Sequence, residues 1–161
     1  MNILALDLAT STGWALSEND RITSGVQTFD VKRGESPGMR FLRLSRWLEE
    51  VAARHHGLTT RYVDLIVYEA AHHRGGPATA VGVGLTSHVL SFCAKHAIEH
   101  QPVHTATLKK WTTGKGNAGK PLMVAAVCRR WNVRIDDHNE ADAYALMMFA
   151  LSELVPASAR T

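Results

Sequence analysis

The chain has 161 residues, of which 45% are hydrophobic and 20% charged. A chain of this length and composition can build one domain with a substantial core, which excludes a wholly disordered protein. The formal net charge is +3 and the pI about 9.1, a mild basic bias that by itself is weak evidence for an acidic partner.

The cysteines and the apolar segments indicate the cellular compartment in which we expect the protein. Cys93 and Cys128 lie in apolar, helix-like stretches without metal-ligand spacing, which favours free thiols in a reducing compartment. The segment Met1 to Asp7 reaches a carboxylate too early for a signal peptide. The most apolar stretch, Ala141 to Leu151, is shorter than the ~20 residues of a membrane-spanning helix. We therefore expect a cytoplasmic protein that does not enter the membrane.

The amino-terminal third predicts three strands followed by a helix. Ile3 to Leu8 is an apolar run of strand length, and turn-forming residues follow it. Trp14 to Ser17 and Ile22 to Phe29 are two further strand candidates on either side of a polar hairpin at 18–20. Beyond a polar loop, apolar side chains recur at three- and four-residue steps and predict an amphipathic helix. These side chains are Phe41, Leu44, Trp47, Leu48 and Val51.

The remainder predicts further strands and helices. Val63 to Tyr68 has the pattern of a buried strand that ends at Glu69. Val103 is predicted at the centre of a short edge strand, Thr107 to Trp111 as a short helix or turn, and 114–119 as a flexible loop. Longer helices are predicted at about Ala78 to Glu99, Pro121 to Trp131 and His138 to Leu154. This order, without any linker, predicts one α/β domain over residues 1–161, a sheet with helices on both faces.

Two carboxylates follow apolar strands. Asp7 closes the first strand, where an aspartate also commonly forms a turn or caps a helix. Glu69 directly follows a strand expected inside the sheet, where an unpaired carboxylate is costly. Because ligands of open α/β sheets bind at the carboxyl ends of the strands, both side chains are candidates for one site.

A third carboxylate, Asp142, lies in a helix that is apolar on nearly every side. A buried carboxylate needs a cation or hydrogen-bond donors, so it either ligates a metal or forms a structural ion pair. Three carboxylates without a Cys or His cluster indicate a hard ion, magnesium or manganese.

A fourth ligand is sought beside Asp142. Asp137 to Glu140 has the form of a capping box, in which Glu140 reaches back to the cap and is structural. Residues two apart on a helix point about 200° apart, so Glu140 and Asp142 do not face one metal pair. Asn139 and His138 lie three and four residues before Asp142, and either one can share its face.

With these residues placed, the chain resembles the RuvC family of Holliday junction resolvases, in the RNase H-like superfamily. The likeness runs from Asn2 to about Ser152. Residues 4–14 resemble the family's first strand, metal aspartate and glycine-bearing hairpin. Val67-Tyr68-Glu69 and Asn139-Glu140-Ala141-Asp142-Ala143 resemble its second acidic strand and closing acidic helix. The resemblance implies a three-layer RNase H-like fold with a five-stranded mixed sheet and helices on both faces.

The lysines of the 109–120 segment add to the resemblance. Lys109, Gly114, Gly116 and Lys120 resemble the family's Lys, Gly-x-Gly, Lys pattern, whose lysines approach the DNA phosphates near the cut. Charge alone supports the same function, because two further lysines crowd this glycine-bearing loop. They are Lys110 and Lys115. The alternative is a solvated lysine loop.

The chain departs from the family at two positions. Asn139 stands where the family usually has an acid or histidine, which leaves the fourth ligand open. His72 stands where well-known cellular members carry an aromatic wedge. The basic loop His72-His73-Arg74-Gly75-Gly76 can still grip an unpaired strand, and the change implies junction handling closer to that of small phage resolvases.

The hypothesis is therefore two-metal hydrolysis of a DNA phosphodiester. Asp7, Glu69 and Asp142 hold Mg²⁺, or Mn²⁺ in its place, and Lys120 or Lys109 offsets charge on the phosphate. A four-way junction has two-fold symmetry, so we expect an isologous homodimer on branched DNA. The helix from Ala78 to Glu99 is a candidate dimer surface, or ordinary core, through Gly82, Gly84, Leu85, His88, Val89 and Phe92.

Three other classes compete with this hypothesis. One is a nuclease of the same fold that acts on branched DNA generally or on RNA, which junction, flap and hybrid substrates would distinguish. Another is a junction-binding protein whose metal site is weakened by Asn139, which would bind without cutting. The third is the actin-like ATPase and sugar kinase fold, but those chains have two such domains and this one has room for one.

Overall fold

The computed structural model describes residues 1–56, 59–70 and 77–155. Its strands are β1 (Ile3–Asp7), β2 (Ser11–Glu18), β3 (Arg21–Thr28), β4 (Ala53–His56), β5 (Thr59–Tyr62), β6 (Leu65–Glu69) and β7 (Glu99–Val103). Its helices are α1 (Met39–Val51), α2 (Pro77–His96), α3 (Thr105–Thr113), α4 (Lys120–Trp131) and α5 (His138–Phe149), the last extended by a π-helical turn, Ala150–Leu154. None of the helices within these ranges is long and apolar enough to cross a membrane.

The main sheet has five strands in the order β3-β2-β1-β6-β7. β1 and β3 run antiparallel to β2, whereas β1, β6 and β7 run parallel to one another. The predicted five-stranded mixed sheet is confirmed. Leu6 pairs with Tyr68 at the carboxyl ends of β1 and β6, so the next residues, Asp7 and Glu69, emerge side by side at one edge.

Helices cover both faces of this sheet because its central strands are buried on both sides. On β1, Ile3 and Ala5 join the core formed with α3, α4 and α5. Leu4 and Leu6 join the opposite core, formed with α1 and α2. Strands that are covered on both faces have continuous apolar runs, as β1 and β6 do. The result is the three-layer arrangement that the sequence predicts.

Helix α5 packs directly on the sheet and is buried on most of its surface. Gly13 on β2 makes this approach possible, since a Cβ there would lie 1.8 Å from the backbone oxygen of Asn139. Asp137 caps the helix by accepting hydrogen bonds from the backbone N–H groups of Asn139 and Glu140, at 2.7 and 3.1 Å. Sheet contact and cap together fix the start of α5 near Asp7, which pairs with Gly13.

Several predicted boundaries were wrong. The hairpin of β4 and β5 was not predicted, because its polar sequence lacks strand alternation. Val103 ends β7 instead of lying at its centre, because this edge strand continues back through four exposed residues, three of them polar, that lack an apolar strand pattern. α2 ends at His96, three residues early, because Ala97 has a left-handed φ of 54°. The segment Thr107 to Trp111, predicted as a short helix or turn, is helical and belongs to the longer α3.

The predicted dimer surface on α2 is largely core. Leu85, Val89 and Phe92 are buried against α1 and the sheet, so the core alternative holds for them. At Gly84 a Cβ would lie 2.5 Å from the ring of Phe41, which also stacks on His88 with 4.7 Å between centroids. At the other glycine of the set, Gly82, no described atom lies within 4 Å of the Cβ position. The two cysteines are free thiols, as predicted: Cys93 and Cys128.

Candidate active site

Asp7 and Glu69 lie at the carboxyl ends of β1 and β6, and α5 brings Asp142 to the same edge. The hydroxyl of Thr105, the first residue of α3, donates a hydrogen bond to Oε1 of Glu69. The carboxyl ends of parallel strands are where an α/β sheet forms its ligand site. The three predicted carboxylates therefore share one end of the sheet.

The carboxylates influence one another electrostatically. Burial raises the pKa of Asp7 well above its ordinary value, and the charges of Glu69 and Asp142 raise it further. Burial also raises the pKa of Asp142 to about 6, with a further contribution from Glu69. Lys120 lowers both pKa values, and Lys109 lowers that of Asp142. Like charges in a partly desolvated site produce this pattern, which a bound cation would relieve.

One carboxylate oxygen of Asp142 is buried in a position that calls for a cation or a hydrogen-bond donor. Oδ1 is buried and accepts no hydrogen bond from any of the described residues. An unsatisfied buried acceptor is costly, and its presence in a native site calls for a partner. All three candidate ligands offer carboxylate oxygen, the donor that magnesium and manganese prefer. In donor chemistry and charge, these residues fit such an ion.

In this structure the side chains of Asp7, Glu69 and Asp142 do not form a group that could hold a metal ion. Within residues 1–56, 59–70 and 77–155, no three His, Cys, Asp or Glu side chains already form an ion-holding group. Thr105 holds one oxygen of Glu69. An ion bound by all three carboxylates therefore requires them to come closer together than they lie in this structure.

The candidates for a fourth ligand point in different directions. Oε1 of Glu140 accepts a 2.7 Å hydrogen bond from the Ser24 hydroxyl on β3. Glu140 is therefore tied to the sheet and does not reach back to the backbone of Asp137, which corrects the second half of the predicted capping box. His138 Nε2 lies 2.6 Å from Lys120 Nζ.

Asn139 lines a groove of about 420 Å³ beside the carboxylates. Among the residues that the structure describes, none that lines the groove is charged, and the others come from the β1–β2 turn and from α2. These wall residues are Leu8, Ala9, Thr10, Ser11, Val81 and Gly82. Asn139, one of the candidates for the fourth ligand, thus borders a groove whose described lining is uncharged.

The four predicted lysines fall into two pairs. Lys109 and Lys120 are close enough to the acids to lower their pKa values. Lys110 and Lys115 are exposed and contribute to neither pKa shift. The hydroxyl of Thr113 bonds the backbone on both sides of the turn, which orders the start of the loop predicted to be flexible. The other predicted DNA-binding residues, His72, His73 and Arg74, lie outside the described residues.

Two contacts at this site had no signal in the sequence. Thr105 lies 36 residues from Glu69, and Ser24 lies 116 residues from Glu140. A threonine at a helix start and a serine in a strand are ordinary in themselves. Their roles arise from the topology, which places β7 beside β6 and α5 across the first hairpin.

Comparison with known proteins gives matches in structure and none in sequence. No family model and no curated protein sequence matches the chain. The structure of Thermus thermophilus RuvC in complex with Holliday junction substrate matches with a TM-score of 0.69 and 16% identity, over 91% of this chain and 90% of that one. Thermus thermophilus RuvC alone matches at 0.67 and 15%, over 94% and 96%. The predicted RNase H-like, RuvC-type fold is thereby confirmed.

Proposed function

We propose that this chain is a single metal-dependent nuclease domain of the RuvC type, which resolves four-way DNA junctions. The observation that carries the proposal is the meeting of Asp7, Glu69 and Asp142 at one end of the sheet, with two pKa values raised and one buried oxygen unpartnered. Buried carboxylates this close to one another favour a bound cation. The similarity in fold to a RuvC bound to a Holliday junction supports the choice of substrate.

The three carboxylates would hold the metal, with Mg²⁺ as the working ion and Mn²⁺ able to replace it. When bound, two metal ions would supply an activated water and stabilise the leaving oxygen of the phosphodiester. Lys120 and Lys109, the cations nearest the acids, would offset negative charge on the scissile phosphate. Thr105 would keep Glu69 oriented toward the site by bonding one of its oxygens.

The DNA would cross the lysine-bearing side of the site. Lys110 and Lys115 are exposed near the start of the 114–119 loop, so they suit contacts to the phosphate backbone farther from the cut. The basic residues 72–74, which lie outside the described ranges, would also contact the junction. Because a four-way junction has two equivalent strands to cut, an isologous homodimer is the assembly that matches its symmetry.

A junction-cleavage assay with titrated Mg²⁺ tests this function. Asp7→Asn and Asp142→Asn should each lower the single-turnover rate by about 100-fold or more, since each removes a charged ligand from the site. Asp136→Asn is the matched control, because that aspartate is exposed and has no part in the proposed site. Full cutting by either of the first two variants contradicts the proposal.

A second candidate is a junction-binding protein with weak or no cleavage. Asn139 favours it, because this neutral amide stands where the family that the chain resembles usually has an acid or histidine, and an amide is a weaker metal ligand. Asn139 also borders a groove whose described lining is uncharged. Tight junction binding without cutting, in both Mg²⁺ and Mn²⁺, would support this candidate. Equal cutting of junction, flap and RNA hybrid substrates would instead indicate a broader nuclease.

A further inference from the structure

The side chains of Lys120 and His138 meet at the edge of the acidic site. The Lys120 ammonium lies 2.6 Å from Nε2 of His138. An ammonium group can only donate hydrogen bonds, so Nε2 accepts and the imidazole carries its proton on Nδ1. Lys120 is the first residue of α4 and His138 the first residue of α5. The contact thus joins the starts of two helices that flank the site.

We propose that His138 is a positioning residue, which holds the Lys120 ammonium beside Asp7 and Asp142. The proposal rests on the nuclease function proposed above. Lys120 is exposed, and a free lysine side chain with four rotatable bonds samples many positions. The charge of Lys120 lowers the pKa of both acids, so its location matters to the electrostatics of the site.

The backbone on both sides of this contact is well fixed. α4 begins with hydrogen bonds from the backbone N–H groups of Leu122 and Met123 to the oxygen of Gly119. α5 begins at the Asp137 cap, and its first turn is tied to β3 through Glu140. Since both Cα positions are set by their helices, the imidazole can limit where the lysine amine moves.

This role differs from the metal-ligand role that the sequence left open for His138. The Nε2 lone pair is taken by the lysine, and a ligating imidazole needs a free nitrogen lone pair. His138 would therefore influence cleavage through Lys120 and the phosphate. Its removal should leave the intrinsic affinity of the carboxylates for metal in place.

The test is a double-mutant cycle of His138→Leu and Lys120→Gln, with His138→Gln as a rescue variant. His138→Leu removes the acceptor and should lower the single-turnover cleavage rate about 10- to 100-fold, as misplaced groups do. His138→Gln keeps an oxygen that can accept from lysine and should restore most of the rate. In the Lys120→Gln background, His138→Leu should cause no further loss, because the group it positions is already absent.

Two measurements separate positioning from other roles. Mn²⁺ binding to the DNA-free protein, followed by calorimetry, should change less than threefold in His138→Leu, in line with a residue outside the ligand set. Urea unfolding checks that each variant folds. His100→Leu is the matched control, since His100 is exposed on the edge strand β7, and it should cut at the rate of the parent protein.

Three results would overturn the inference. Additive losses in the cycle would show that His138 acts independently of Lys120. A loss of Mn²⁺ affinity of tenfold or more, in the range seen when metal-site partners are removed, would make it a ligand. An unchanged rate in His138→Leu, with Lys120→Gln and Asp7→Asn both inactive, would defeat the positioning role alone. If those two variants were also fully active, the nuclease function would fail with it.

Discussion

We expect Asp142→Asn to stabilise the metal-free chain at neutral pH while it abolishes cutting. The pKa of Asp142 is raised from 3.8 to about 6, mainly by burial. A difference of that size disfavours the ionised carboxylate by roughly 3 kcal/mol, which we reduce to about 2 kcal/mol because the residue is only partly buried. A neutral amide of the same shape removes this cost.

The gain in stability from Asp142→Asn depends on pH. Because the pKa is higher in the folded chain, folded protein holds the proton more tightly than unfolded protein, and stability falls as pH rises from about 4 to about 6. The gain from Asp142→Asn should therefore be full above pH 6 and vanish near pH 4. For a domain of this size about 2 kcal/mol corresponds to roughly 4–8 °C in Tm.

Urea unfolding with a chelator present measures this gain, with Asp136→Asn as the control for charge removal at an exposed site. Saturating Mg²⁺ should reverse the order of stability, because an ion that binds only the folded parent adds about 2.7 kcal/mol at 100 times its Kd. A destabilised Asp142→Asn protein at pH 7.5 without metal would refute the reasoning, since the buried charge would then have a partner. So would a gain that persists unchanged at pH 4.

Three further changes test the site and its surroundings. Gly13→Ala should destabilise the chain by about 3 kcal/mol or prevent folding, as overpacking does. The reason is that the new Cβ would lie 1.8 Å from the backbone oxygen of Asn139. Urea unfolding measures the change in stability. Thr105→Val should cost about 1 kcal/mol in the same assay by removing the donor to Glu69, and Thr105→Ser should restore it. Lys115→Ala should weaken metal-free junction binding and reduce the slope of log K against log salt by about 1; an unchanged slope would remove this lysine from the DNA surface.

The central elements of the fold were predictable because burial on both sides leaves a simple pattern. β1 and β6 are continuous apolar runs that end in a carboxylate, and α5 is apolar on nearly every side. β7 and the β4–β5 hairpin carry no such pattern. These strands are formed by backbone pairing with a neighbour, which side-chain periodicity does not reveal.

The acidic residues of the site could be predicted from the sequence. The contacts that neighbouring side chains make could be predicted less well. A carboxylate after a buried strand carries a cost that can be recognised from the sequence alone. The partner that each side chain takes depends on where helices meet. His138 and Asn139 were equal candidates for ligation, yet one contacts Lys120 across 18 residues and the other borders a groove. Spacing along one helix cannot distinguish these outcomes, because the deciding contacts come from other elements.

The balance of charge at the site is the strongest physical reason to expect a divalent ion. Lys109 and Lys120 both lie near the acids, and both lower the pKa of Asp142. Even so, the pKa values of Asp7 and Asp142 stay above their ordinary values. Two lysines on the rim therefore do not compensate for burying these acids together. A divalent ion held by Asp7, Glu69 and Asp142 would carry twice the charge of a lysine, and it would favour the ionised carboxylates that burial disfavours.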